Sequence, residues 1–417
     1  MAGIRDYLAW RGDLSFAASP VNEVDSLILT EIVYMDFSGA AAEDFRHPVS
    51  LREAAEECFR LRPRRENALG LLLPDEIQDL FFEAAQTPRF RDIRLSGYEQ
   101  LRDEEKEMQF AALTFDLTDT LRYVAFRGTD DSIVGWKEDF NMGFRFPVPS
   151  QEKARLYLRR AALDRPESLL FVGGHSKGGN LATFAAAKAE ADVFSRIQKI
   201  YNHDGPGFPA SSIASEIYQR VNDKLATTVP EASIVGQLME YRGTARFVKS
   251  DASGPMQHDG LTWQVKGPAF DVWPEEPKIL THNRKTLHAW MREMPLEQRR
   301  NMVENLFAIR RNTSAATLWE LFNSPKQMLS ALWESYDKET REVLTNSLRL
   351  LIREERSALR EFLKDEQESF QQTIQENVQE VFKTIREKHR ARPQRIVRHL
   401  KQRKRNAVQK QESTELS

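Results

Sequence analysis

The stretch Ser168-Leu169-Leu170-Phe171-Val172-Gly173-Gly174-His175-Ser176-Lys177-Gly178-Gly179-Asn180-Leu181-Ala182 decides the reading of this chain. Its first six residues form a short apolar run, the pattern of a parallel strand buried on both faces. Leu181 to Ala189 is rich in alanine and reads as a helix. Between the two, Gly173, Gly174, Gly178 and Gly179 flank Ser176 on either side. This order describes a sharp strand-to-helix turn, in which small residues make room for a serine in a strained backbone conformation. The hydroxyl then stands exposed at the carboxyl edge of a sheet, and the following N–H points to where negative charge can develop. A phosphate-binding loop is the other reading of such a turn. That loop ends in Gly-Lys-Ser/Thr, whereas here Lys177 follows the serine.

Working outward, Ala111–Phe115 and Leu121–Phe126 read as two strands joined through the polar Asp116–Thr120. A helix is expected around Lys153–Leu163, and further strands at Ile197–Asn202 and Ala245–Ser250. Alternation of strand and helix implies an α/β sheet with helices on both faces. Residues 1 to about 110 look helix-rich, with Asn22 capping a helix through Ser26–Glu31, a charged helix over Leu51–Leu61 and another opening at Pro74. From 278 the chain is nearly free of glycine and rich in Glu, Arg, Lys and Leu. Its apolar positions, among them Leu344, Leu348, Leu351, Leu359 and Phe362, recur near helical spacing and predict long helices over 278–390, in a hairpin or coiled coil. Residues 391–417 read as a basic and then polar tail without fixed structure. The expected organisation is therefore a helical N-terminal part (1–110), an α/β-hydrolase core (111–277) and a helical extension (278–390) before the tail.

Ser176 is the expected nucleophile, and the core must supply three more things: a second oxyanion donor, a histidine and an acid. Phe126-Arg127-Gly128-Thr129-Asp130 ends an early strand. Gly128 allows a close backbone approach there, and Thr129 offers both an N–H and a hydroxyl. The N–H groups of Thr129 and Lys177 are thus the expected oxyanion hole. His258 follows the Phe247-Val248 strand by a loop, where a triad histidine belongs; His282 and His288 lie near the edge of the core. Asp204, after the strand that follows the nucleophile helix, is the expected acid, with Asp223 and Asp251 as rivals. His175 and His203 adjoin the motif residues and are expected to pack or hydrogen-bond locally. A triad of this kind calls for no metal and no organic cofactor.

The chain of 417 residues carries a formal net charge of −2, which argues against a nucleic-acid binder as a whole. Its one cysteine, Cys58, permits no internal disulfide and fits a reducing cytosol. No apolar leader opens the sequence, and no run is long enough for a membrane span, so a cytoplasmic protein is expected. The basic segment His389 to Arg405 suits an anionic membrane surface, and the C-terminal helices suit self-association.

Gly174-His175-Ser176-Lys177-Gly178-Gly179-Asn180, Asn202-His203-Asp204-Gly205-Pro206-Gly207-Phe208 and Gln257-His258-Asp259 together resemble the bacterial Mbeg-like family, lipase-like proteins of unknown function. Tyr7-Leu8-Ala9-Trp10-Arg11-Gly12-Asp13 and Asn22-Glu23-Val24-Asp25 resemble that family's opening, so the likeness spans about residues 1 to 275. More distantly, Phe126-Arg127-Gly128-Thr129 and the Gly-His-Ser-x-Gly-Gly elbow are similar to class 3 lipases. Two departures stand out. Lys177 occupies a position those lipases give to leucine, which points toward an anionic substrate. Thr227-Thr228-Val229-Pro230 lacks the carboxylate they place before Val-Pro, which moves the acid to Asp204. The resemblance implies a serine hydrolase acting on ester or lipid-like substrates. The competing expectation is a catalytically weak or inactive hydrolase fold that binds or scaffolds through its C-terminal helices.

Overall fold

The computed structural model describes residues 1–66, 69, 73–130, 132–240 and 245–278, with scattered positions from 280 to 304. The chain divides into two units, Met1–Glu355 and Arg356–Ser417, and every described residue belongs to the first. The helices expected over 278–390 and the tail at 391–417 lie, but for those scattered positions, outside the described residues, as do His282 and His288.

Helices α1 (Ile4–Arg11) and α2 (Glu23–Ile32) open the chain. Strand β1 (Val49–Ser50) runs directly into α3 (Leu51–Leu61), and α4 (Glu76–Ala84) follows. Three strands come next: β2 (Arg94–Asp103), β3 (Met108–Thr118) and β4 (Leu121–Phe126). Helices α5 (Ile133–Asn141) and α6 (Pro149–Asp164) lead to β5 (Leu169–His175), α7 (Lys177–Ala187) and β6 (Ile197–His203). The sheet closes with β7 (Leu225–Pro230) and β8 (Arg246–Val248), and β9 (Val265–Lys266) pairs with β10 (Ala269–Phe270) as a small hairpin.

The eight strands β1 to β8 lie side by side in chain order. The first four pair antiparallel, and β4 to β8 pair parallel. This order has a consequence. Parallel crossovers are right-handed, so strands added always on the same side put their connecting helices on the same face. Accordingly α6 and α7 share one core with Phe110, Ala112, Val124, Phe126, Leu170, Val172 and Ile200. The alternate residues Leu113, Phe115, Tyr123 and Ala125 point the other way and must be covered from elsewhere. Helices α1, α2 and α4 of the N-terminal part, with Trp263 and the β10 residue Phe270, supply that cover. This is the α/β-hydrolase core expected from the sequence, with its N-terminal helices built into the main core.

One element departs from expectation. Residues 94–103, inside the stretch read as helix-rich, form β2. A register shift between Ser96 and Glu99, at Gly97 with φ +69°, interrupts the alternation that would have signalled a strand. The N-terminal opening also gains a reason. Asn22 caps α2 by accepting from Val24 and Asp25 N–H, while Tyr7 Oη and the buried Arg89 both bond the buried Asp25 carboxylate. Among the described residues no helix is long and apolar enough to cross a membrane.

Candidate active site

Ser176 sits between β5 and α7 with φ +55° and ψ −135°, a conformation costly for any residue with a β-carbon. The surrounding structure enforces it. Ser176 N–H donates to the carbonyl of His203 on the neighbouring strand at 2.9 Å, and Ser176 O accepts from Gly179 N–H at 2.9 Å. The serine thus opens α7, whose first N–H groups have no acceptor within the helix.

His258 ends a short 3₁₀ turn, Gly254–His258, beyond β8. Its Nδ1–H donates to Asp204 Oδ2 at 2.6 Å. Asp204 follows β6, is fully buried, and has φ +51°. Its backbone N–H donates to Thr228 O on β7 at 2.8 Å, which turns the side chain toward the histidine loop. Ser233 Oγ lies 2.6 and 2.8 Å from the two carboxylate oxygens. A β-carbon at Gly236 would stand 2.2 Å from Asp204 Oδ1, so only glycine permits this approach. Burial raises the Asp204 carboxyl above its usual range, against which the His258 and Ser233 bonds favour the ionised form.

His258 is also held from behind. Its carbonyl oxygen lies 2.8 Å from His175 Nε2, and an oxygen of that kind only accepts, so the His175 proton is on Nε2. His175 Nδ1 is then bare and accepts from Tyr34 Oη at 3.1 Å. Burial keeps His175 well below the usual histidine range and therefore neutral. The residue before the serine thus anchors the loop that carries His258, and their rings stand 4.7 Å apart. His203 packs locally as well: its Nε2 meets Ser26 Oγ at 2.8 Å, and burial pulls its pKa down to about 3. The two rival acids lie elsewhere. Asp223 is exposed in the turn before β7, and Asp251 bonds the Met1 amino group and Gln264.

The end of β4 borders the serine. A β-carbon built on Gly128 would lie 3.0 Å from Ser176 Cβ and 2.0 Å from Tyr34 Oη. Thr129 comes next, but its hydroxyl donates to Asp139 Oδ2 at 2.5 Å. Of the two donors read from the sequence at Thr129, the hydroxyl is therefore already committed to Asp139. Lys177 brings a second correction. Its ammonium is buried, donating to Gln109 O at 3.0 Å, Gln109 Oε1 at 2.6 Å and Glu138 Oε2 at 3.2 Å. An ammonium with these partners does not face substrate, so it gives no preference for an anion. Adjacency in sequence places the charge near the elbow, but only the packing of β3 and α5 decides where it points.

Ser233, Tyr34, Gln109, Glu138 and Asp139 carry no signal in the sequence. They reach the site from the loop after β7, the turn after α2, strand β3 and helix α5, with no motif spacing to the serine. Among the described residues no cluster of His, Cys, Asp and Glu is arranged to hold a metal ion.

Comparison with known proteins adds a family. The model of the Mbeg1-like family matches residues 84–308, more than half of the chain, and the span includes Thr129, Ser176, Asp204 and His258. No curated protein matches the chain. Two similar solved structures are a mutant form of MDLA from Penicillium cyclopium and M37 lipase. The first is 13% identical with a TM-score of 0.33, covering 59% of this chain and 82% of that one. The second is 16% identical with a TM-score of 0.31, covering 51% and 68%.

Proposed function

We propose that this chain, which belongs to the Mbeg1-like family, is a serine hydrolase that cleaves esters, lipase- or esterase-like, through Ser176, His258 and Asp204. One observation carries the reading. The buried Asp204 carboxylate accepts His258 Nδ1–H at 2.6 Å, on a loop pinned by the residue next to a serine in an elbow conformation. That bond fixes the tautomer that leaves Nε2 bare, the form a general base requires.

The reaction follows as two acyl transfers. Ser176 Oγ attacks the ester carbonyl while His258 Nε2 takes its proton, and the carbonyl electrons move onto oxygen. The N–H groups of Thr129 and Lys177 receive that oxyanion. Collapse expels the alcohol, protonated by His258, and leaves Ser176 acylated. Water then repeats the attack, giving its proton to His258, and the acid leaves as Ser176 recovers its proton. Asp204 stabilises the imidazolium in both halves without itself being protonated.

A fluorophosphonate probe on the full-length protein tests the reading. Stoichiometric labelling that Ser176→Ala abolishes is expected, together with turnover of short and medium p-nitrophenyl esters. Labelling that persists in Ser176→Ala, or a wild-type protein inert to both reagents, refutes it.

A further inference from the structure

The buried ammonium of Lys177 has no part in the acyl transfer described above, yet it makes three hydrogen bonds beside the elbow. It leaves the residue after the nucleophile and reaches three places at once. On β3 it bonds both the backbone and the side-chain oxygen of Gln109. On α5 it bonds Glu138 Oε2 and lies 3.7 Å from Asp139 Oδ1. Each of these partners leads onward. Gln109 Nε2 lies 3.5 Å from the carbonyl of Gly128, and Gln109 N–H donates to Glu138 Oε2 at 3.0 Å. Glu138 Oε1 accepts from Ser150 N–H at 2.9 Å. Asp139 Oδ2 accepts the Thr129 hydroxyl at 2.5 Å. A continuous set of polar contacts therefore runs from one oxyanion residue, Lys177, through Asp139 to the other, Thr129.

We infer that Lys177 is a positioning residue for the oxyanion hole: its ammonium, acting through Asp139, Glu138 and Gln109, fixes the Gly128-Thr129 backbone against the elbow. The inference rests on the serine-hydrolase reading and adds to it a role for a side chain that the reaction itself leaves unused. The physics favours such a device. Donors that are pre-set toward a developing charge need no reorganisation during the reaction. Among the described residues of the loop after β4, backbone bonds are few beyond Arg127 N–H to Ala111 O, because the chain is leaving the sheet, so its placement depends on side-chain partners. A cation bonded to two acceptors on β3 and one carboxylate on α5, with a second carboxylate nearby, is a rigid choice, since moving any one strains the rest. Asp139 is the sensitive member. Burial raises its carboxyl to about 6, and the neighbouring ammonium, followed by the Thr129 hydroxyl, opposes that rise.

The test uses the full-length protein, fluorophosphonate labelling rates, steady-state ester hydrolysis and affinity for an aryl boronate, which mimics the tetrahedral oxyanion. Lys177→Met is expected to lower kcat and boronate affinity in parallel by about 10- to 100-fold, below the roughly 10²–10³ lost when a donor is removed outright, with KM within twofold. Thr129→Val, which keeps the N–H and removes the hydroxyl, is expected to do the same to a smaller degree, and Thr129→Ser to recover rate relative to it. The double variant K177M/T129V is expected to be no slower than K177M alone, because both act on one device. Asp139→Asn, close in shape and uncharged, serves in the same assays where K177M does not melt cooperatively, with a several-fold loss of kcat expected. Unchanged kcat, a change confined to KM, or fully additive losses in the double variant overturn the inference. A wild-type protein that takes no probe at all instead refutes the hydrolase reading on which it stands.

Discussion

Asp204→Asn separates chemistry from folding at this site. The wild-type carboxylate accepts His258 Nδ1–H at 2.6 Å and Ser233 Oγ–H from the other side. An asparagine of the same shape has one oxygen and one NH₂ group. If the oxygen faces His258, the geometry survives, but the negative charge that stabilises the imidazolium is gone. If the NH₂ faces it, two donors meet and the ring must adopt the opposite tautomer, with Nε2 protonated and unable to accept from Ser176. Either way the general base is disabled, and a loss of about 10⁴ in kcat is expected. At 1.36 kcal/mol for each factor of ten, this is ~5.4 kcal/mol of transition-state stabilisation. Stability should move the other way or stay level. Burial raises the Asp204 carboxyl, so folding disfavours its ionised form relative to the unfolded chain, a cost that neutral asparagine does not carry. The variant should therefore melt no lower than wild type. Calorimetry and single-turnover acylation with a p-nitrophenyl ester measure the two quantities. A rate within tenfold of wild type, in a protein that melts normally, refutes the assignment of Asp204 as the acid.

Two further outcomes follow from the same geometry. Ser176 holds φ +55° and ψ −135°, a region that glycine alone enters freely, so Ser176→Gly should raise stability by about 1–3 kcal/mol while abolishing probe labelling. Ser176→Ala retains a β-carbon and should abolish labelling with little gain in melting temperature; equal gains in both variants would show that the elbow is unstrained. Asp139 gives a pH signature. Its folded pKa of about 6 lies above its ordinary 3.8, so the folded state holds the proton more tightly. Its contribution is full below about pH 4 and is lost as pH rises through 6. Denaturation midpoints of wild type relative to D139N should fall across that window, and a flat difference would place the Asp139 pKa near its ordinary value.

Much of the site is legible in the chain itself. Gly-rich spacing around Ser176 permits only a sharp turn, and an apolar run before it with alanines after it leaves little choice but strand and helix. The proposed order Ser, Asp, His rests on which strand ends a parallel sheet brings together. Asp204 falls within that logic because β6 and β7 are consecutive neighbours, so the residue leaving β6 lies beside the loop leaving β7, where Ser233 waits. Strand β2 escapes it, because a bulge breaks the alternation on which strand recognition depends.

The sequence alone determined the elements around Ser176, their order, and a short set of candidate residues, since local periodicity and turn chemistry are properties of neighbours along the chain. Direction and partnership belonged to the tertiary structure. Only packing turned the Lys177 ammonium inward onto Gln109 and Glu138, committed the Thr129 hydroxyl to Asp139, and set His175 behind His258. The reason is physical: a buried polar group takes whichever partners the fold brings within about 3 Å, and those partners lie tens of residues away in sequence.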